Sequence, residues 1–191
     1  MESSDFDQAR QMNLAAGECL KKGDFGGALE NFSKALALLP EGEPEAKARL
    51  HSNMGHAQVS LQRYEDALSA FKNAAAIFAR LGDHNGRGEQ LGNIGSVYRD
   101  MEKWDLSLDS YFKALEAFQG AGNRGGVADQ HSNIAYAYSR KGDLRQALHL
   151  FKKAKTLYDT LGEERKSRLC EQNLQALEPH VKGQDSLHER P

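Results

Sequence analysis

One pattern recurs four times in this chain at an almost constant interval, and it restricts the fold more than any other feature. Each copy begins with a polar-apolar segment: Asn13-Leu-Ala-Ala-Gly-Glu-Cys19, Asn53-Met-Gly-His-Ala-Gln58, Asn93-Ile-Gly-Ser-Val-Tyr98 and Asn133-Ile-Ala-Tyr-Ala-Tyr138. A short break comes next, then a second segment: Gly27-Ala-Leu-Glu-Asn-Phe32, Asp66-Ala-Leu-Ser-Ala-Phe71, Leu106-Ser-Leu-Asp-Ser-Tyr111 and Gln146-Ala-Leu-His-Leu-Phe151. Phe32, Phe71, Tyr111 and Phe151 stand 39, 40 and 40 residues apart, and Ala28, Ala67, Ser107 and Ala147 keep the same spacing. A unit of this size cannot bury its apolar faces alone, so the copies must stack into one array.

Within each copy the apolar residues follow a helical period. Leu91, Ile94, Tyr98 and Met101 are separated by 3, 4 and 3 residues, and Leu108, Tyr111, Phe112, Leu115 and Phe118 form a second stripe. No proline lies between Pro44 and Pro179, which leaves that interval free for helix. Lys22-Gly23-Asp24 and Lys141-Gly142-Asp143 read as a helix stop and then a helix start: glycine takes the left-handed conformation and aspartate caps the next helix. Gly55, Gly95 and Ala135, facing the small residues at 28, 67, 107 and 147, allow paired helices to approach closely. The pattern predicts eight helices near 8–22, 25–39, 45–62, 64–81, 85–101, 104–120, 125–141 and 144–161. These form repeats at about 8–40, 45–81, 85–120 and 125–161. A ninth helix is expected at 163–179, where Leu169, Leu174 and Leu177 oppose charged residues and Asn173 continues the asparagine series. It is the first helix of a fifth unit and serves as a cap, with Pro179 as its end. The expectation is one all-α domain over 1–179 and a polar tail over 180–191. Trp104, which sits where Phe25, Tyr64 and Leu144 sit in the other copies, is expected to pack between hairpins rather than to stack on a ligand.

The motif resembles the tetratricopeptide (TPR) family, whose signature is W-x2-L-G-x2-Y, then A-x3-F, then P. The third copy reads Leu91-x2-Ile94-Gly95-x2-Tyr98, then Ser107-x3-Tyr111. The first reads Met12-x2-Ala15-Ala16-x2-Cys19, then Ala28-x3-Phe32, with Pro40 closing it. Met12, His51, Leu91 and His131 stand in place of the tryptophan. The extra length over the usual 34 residues lies around 81–88 and 119–126. In this the chain is similar to the long-period subclass seen in LGN/Pins-type polarity adaptors and bacterial peptide receptors. The resemblance implies a right-handed α-solenoid of four TPR hairpins plus a C-terminal capping helix. It also implies a concave groove lined by the first helices, which binds a peptide or protein segment in an adaptor or scaffold role.

Helical spacing then nominates the groove residues. The second copy offers Arg49, Ser52, Asn53, His56, Val59 and Ser60. The third offers Glu89, Gly92, Asn93, Ser96, Arg99 and Asp100, and the fourth Asp129, Ser132, Asn133, Tyr136, Ser139 and Arg140. The first contributes Arg10, Asn13, Gly17, Leu20 and Lys21. Asn53, Asn93 and Asn133 are the sharpest of these, because mid-helix asparagine costs about 0.5 kcal/mol against alanine and yet recurs. A primary amide both donates and accepts, so each can grip a peptide backbone; the competing use is a bond to the neighbouring helix. Capture of a chaperone's C-terminal carboxylate, the familiar TPR role, fits poorly. Asn13, Gly17, Glu89 and Asn93 occupy the positions that need cations, and Glu89 and Asp129 would repel a carboxylate. Arg10, Lys21 and Arg49 against Glu89, Asp100 and Asp129 suit an extended or helical partner segment of mixed charge.

Other chemistries find little support. A net charge of −2 creates no field for nucleic acid. No apolar run approaches the ~20 residues of a membrane helix, and Met1-Glu-Ser-Ser-Asp-Phe-Asp7 lacks a basic-then-apolar leader pattern, so a cytoplasmic protein without membrane insertion is expected. Cys19 and Cys170 fit no metal or redox spacing. His51 and His56 are five residues apart, ~140° around a helix, a poor chelate; His84 and His149 fall in a loop and on an outer helix, so no metal site is expected. Gly120-Ala-Gly122-Asn-Arg-Gly125 matches a dinucleotide loop in letters, but a helical pattern precedes it where a strand is required. No nucleophile–base set can be assembled, so the chain is read as a non-enzyme without cofactors, a monomer or weak homo-oligomer. A structural scaffold formed by self-association is the rival reading, and light scattering separates the two.

Overall fold

The computed structural model describes the backbone of residues 2–188 and the side chains of residues 5–181. Within it the chain forms helices α1 (Glu2–Lys21), α2 (Phe25–Leu38), α3 (Pro44–Ser60), α4 (Tyr64–Leu81), α5 (His84–Asp100), α6 (Trp104–Gly120), α7 (Arg124–Lys141), α8 (Leu144–Leu161) and α9 (Glu164–His188). No strand occurs among the described residues. The fold is all-α and of the solenoid class. Two compact units divide it, residues 1–97 and 98–191, and the boundary falls inside α5.

In the first unit α1 packs on α2, α2 on α3, and α3 on α4. Asp24 caps α2 by accepting from the Gly27 amide at 2.8 Å, as its place after Gly23 predicts. At the joint before α5, Gly82 takes the left-handed conformation and Asp83 accepts from the Gly86 amide at 2.9 Å. Ala28, Phe32, Ala35 and Leu50 form one buried cluster, and Ala48, Ala74, Ile77 and Phe78 another. Burying one such phenylalanine contributes about 1.5–3 kcal/mol. Gly55 lies so close to Phe71 that a Cβ there would stand 2.6 Å from the ring. The small residue is therefore required by the close approach that the sequence pattern implies.

In the second unit α6 packs on α7, α7 on α8, and α8 on α9 around a core that includes Tyr111, Ile134, Phe151, Ala154, Tyr158 and Cys170. Asn123 and Asp143 cap α7 and α8. The repeated anchors are buried throughout the chain: Phe32, Phe71, Tyr111 and Phe151 are at most 2% exposed, and Ala28, Ala67, Ser107 and Ala147 are fully enclosed.

The structure departs from the expected pattern in several places. α1 begins at Glu2, earlier than residue 8, and acidic residues in its first turns suit the positive end of a helix dipole. Phe112, assigned to the apolar stripe of α6, is 43% exposed, because it lies one residue past the buried Tyr111 and so turns ~100° off the core face. Pro179 does not end the last helix, which continues to His188. The ring removes the amide that would bond the Gln175 carbonyl, but both residues lie on the exposed side, where water can accept that role. The expected tail is therefore helical over 180–188, and 189–191 lie outside the described residues.

Candidate functional site

In the first unit, Arg10, Asn13, Arg49 and Asn53 converge on one cavity of about 420 Å³ between α1, α3 and the α2–α3 loop. Its floor is apolar, with Phe6, Ala9, Leu39, Ala46 and Leu50; Glu43 and Glu45 complete the rim. Arg49 pairs with Glu45 at 2.6 Å across one helical turn, an exposed pair that water largely screens. Arg10 has no ion pair among the described residues. The cavity thus offers an available cation, two amides, an ion pair and an apolar base. The two glutamates were absent from the predicted set. Their neighbour Pro44 at the start of α3 reads as helix-start chemistry, and acidic residues there are explained without a ligand.

The remaining first-unit residues divide. His56 lies edge-on to Phe71, with ring centroids 5.1 Å apart, and burial pushes its imidazolium to a lower pKa than usual. Glu89 keeps an exposed carboxyl whose pKa is raised, first by partial burial and then by Asp83. Asn93 is half-buried. Leu20, by contrast, packs against the core and Gly92 is buried, while Lys21 stays exposed and pairs with Glu18 at 2.7 Å.

In the second unit, Tyr136 and Arg140 gather at Trp104, the first residue of α6, and Arg99 lies within electrostatic reach of Tyr136. Tyr136 meets the Trp104 ring edge-on at 6.4 Å, and the Arg140 guanidinium lies over that ring at 5.6 Å. Arg99 bonds Asp100 through two nitrogens, each at 3.0 Å. Trp104 packs against the core, as its position in the repeat predicts, and in addition carries this cluster. Its second role was hidden in the sequence because Arg140 lies 36 positions away.

Asp129 has a different fate. It accepts from the Tyr158 hydroxyl and from the Lys166 ammonium, both at 2.8 Å, and so ties α7 to α8 and α9. Burial, then Asp129, raises the Tyr158 pKa far above its usual value. Asp129 thus brackets three helices while its side chain keeps 41% of its surface exposed. Ser139 donates to the Tyr136 carbonyl, and the Cys170 thiol approaches Ser132 at 4.0 Å.

Asn53, Asn93 and Asn133 occupy matching positions on α3, α5 and α7, are half-buried, and form no hydrogen bond through their amides among the described residues. The Gly120–Gly125 stretch joins the end of α6 to the start of α7, with helix on both sides. No three His, Cys, Asp or Glu side chains gather in metal-binding geometry, and no helix is long and apolar enough to cross a membrane, among the described residues.

Helical hairpins repeating every 40 residues define a solenoid-type repeat protein, a class that presents extended binding surfaces. Residues 90–160 match the sequence model described as tetratricopeptide repeat. Solved structures agree in fold. RapI in its apo form superposes with a TM-score of 0.79 at 14% identity, over 96% of this chain and 72% of that one. BtubC (BKLC) from P. vanneervenii gives 0.68 at 18% identity, over 95% of this chain and 90% of that one. A signal transduction ATPase with numerous domains and a tetratricopeptide repeat sensor, from Pyrococcus horikoshii, gives 0.81 at 15% identity, over 89% of this chain and 27% of that one. No curated protein matches the sequence. The tetratricopeptide repeat match covers residues 90–160, and the chain as a whole shares the fold of these solved structures.

Proposed function

We propose that this chain is a protein–protein interaction module that binds a peptide or protein segment on the face formed by the first helices of its hairpins, in an adaptor or scaffold role. The observation that carries this reading is the asparagine series. Among the described residues, three mid-helix amides at equivalent positions form no internal hydrogen bond. Had they served only the packing of adjacent helices, their bonds would be internal; left open, each supplies a donor and an acceptor to a backbone. The cavity at Arg10, Asn13, Arg49 and Asn53 adds an apolar base with both signs of charge on its rim, which suits a mixed-charge segment. Two free thiols and the absence of a membrane-crossing helix among the described residues favour a cytoplasmic setting.

The test is affinity capture from native lysate with the full chain and with a variant carrying Asn53→Ala, Asn93→Ala and Asn133→Ala. A partner retained by the parent and lost by the variant, at unchanged helical circular dichroism, is the expected result. Equal retention by both removes the asparagines from the binding face.

A further inference from the structure

We propose that Trp104, Tyr136 and Arg140 form an anchor for an acidic side chain that neighbours a large apolar side chain on the bound segment; this rests on the interaction-module reading above and assigns the ligand chemistry of one part of it. Tyr136 and Arg140 are one turn apart on α7 and share a face, and Trp104 opens α6 beside them. The rings meet edge-on at 6.4 Å, and Tyr136 remains 41% exposed. Arg140 sits over the indole at 5.6 Å.

Charge pairing beside the cluster distinguishes that arginine from its neighbours Arg99 and Lys141. Arg99 is neutralised by Asp100, and Lys141 by Asp105. Arg140 pairs with no carboxylate among the described residues, and its contact is the indole face. An aromatic face holds a guanidinium without using its in-plane N–H groups, so the fork that binds a carboxylate through two bonds stays available. The adjoining Tyr136 and Trp104 surfaces present apolar area to the residues on either side of that acid. Trp, Tyr and Arg are also the residues that dominate binding energy at protein interfaces. A single unpaired cation matches one carboxylate; a dianionic phosphate would call for a cluster of cations. A basic side chain would be repelled here.

Trp104 is the only tryptophan of the chain, so its emission reports this site directly. The experiment pans a random 12-residue phage-displayed library on the full chain and titrates the strongest binders as synthetic peptides against Trp104 emission. The selected peptides are expected to carry Asp or Glu beside Phe, Trp, Leu or Ile and to change that emission. Glu→Gln in the peptide, or Arg140→Gln in the protein, should weaken binding about tenfold or more, with Arg140→Lys recovering only part of the loss. Circular dichroism controls for folding, and Arg140 is an exposed side chain. Peptides that bind with no acidic preference, or that bind the Arg140→Gln variant equally well, overturn the anchor and leave the interaction-module reading standing. Tighter binding when phosphoserine replaces the acid overturns the carboxylate assignment. A library that yields no binder overturns both.

Discussion

A single methyl group tests the packing at opposite ends of its range. Gly126 on α7 faces Phe118, and a Cβ there would stand 2.5 Å from the ring. Gly126→Ala is expected to lower the unfolding free energy by about 1–2 kcal/mol, because overpacking a buried ring outweighs the helix propensity gained. Gly17, inside α1, has nothing within 4 Å, so Gly17→Ala should raise stability by up to about 1 kcal/mol. Urea titration of both variants checks the pair; equal signs would show that the ring does not constrain Gly126. Asp129→Ala should cost about 1–2 kcal/mol, since it strands the buried Tyr158 hydroxyl and releases Lys166. A readable signal at this scale was the recurrence of small and aromatic residues, and the positions it marks are buried. The bracket at Asp129 was not readable. Its partners, Tyr158 and Lys166, stand where earlier copies carry Phe118 and Gly126, so the repeat pattern made them look like lapses rather than an exchange of one joint for another.

Helices were the most legible elements, since apolar spacing and turn chemistry point to the same boundaries. α4, α6 and α8 fall on the predicted spans. Turns were legible only where glycine marked them. Gly23 and Gly142 take positive φ as predicted, yet Gln62 and Glu102 hold the equivalent turns at φ 58° and 57°. A side chain in that conformation costs about 1–2 kcal/mol. Glu102→Gly should therefore raise stability by up to about 1 kcal/mol after the added flexibility of the unfolded chain is subtracted. A lowered urea midpoint in that variant would contradict the account. α9 outran its expected end for a related reason: proline interrupts one hydrogen bond, and an exposed helix can yield that bond to water. At the candidate site, element spacing pointed to Arg49, Asn53, Tyr136 and Arg140; the first two line one cavity and the last two meet Trp104. It could not foresee which of them would share a cavity or an aromatic ring, because that depends on side chains from other helices.

Across the whole chain, stability should depend on pH in a defined direction. Burial lowers the pKa of His51, His56 and His131 from the usual 6.5, with Lys153 and His149 adding to the effect at His131. The unfolded chain then binds more protons than the native one near pH 6.5, so stability is present above that value and is lost as pH falls through it. Urea midpoints should be lower at pH 5.5 than at pH 7.5, and a variant with all three histidines changed to Gln should show a flatter profile. Each unit buries its own core, and the sequence could not mark their boundary, since α5 runs through it as one helix. The aromatic–glycine joints carry a further consequence, one of construction. Phe78 presses on Gly86, and Phe118 on Gly126, so the segment Asp83–Gly122 begins and ends on the same interlock. A tandem copy of it would keep Phe118 eight residues before the copied Gly86, the spacing that Phe78 and Gly86 have now. The joint at Tyr158 has no such glycine: Lys166 stands there, its ammonium 5.5 Å from the centre of the ring.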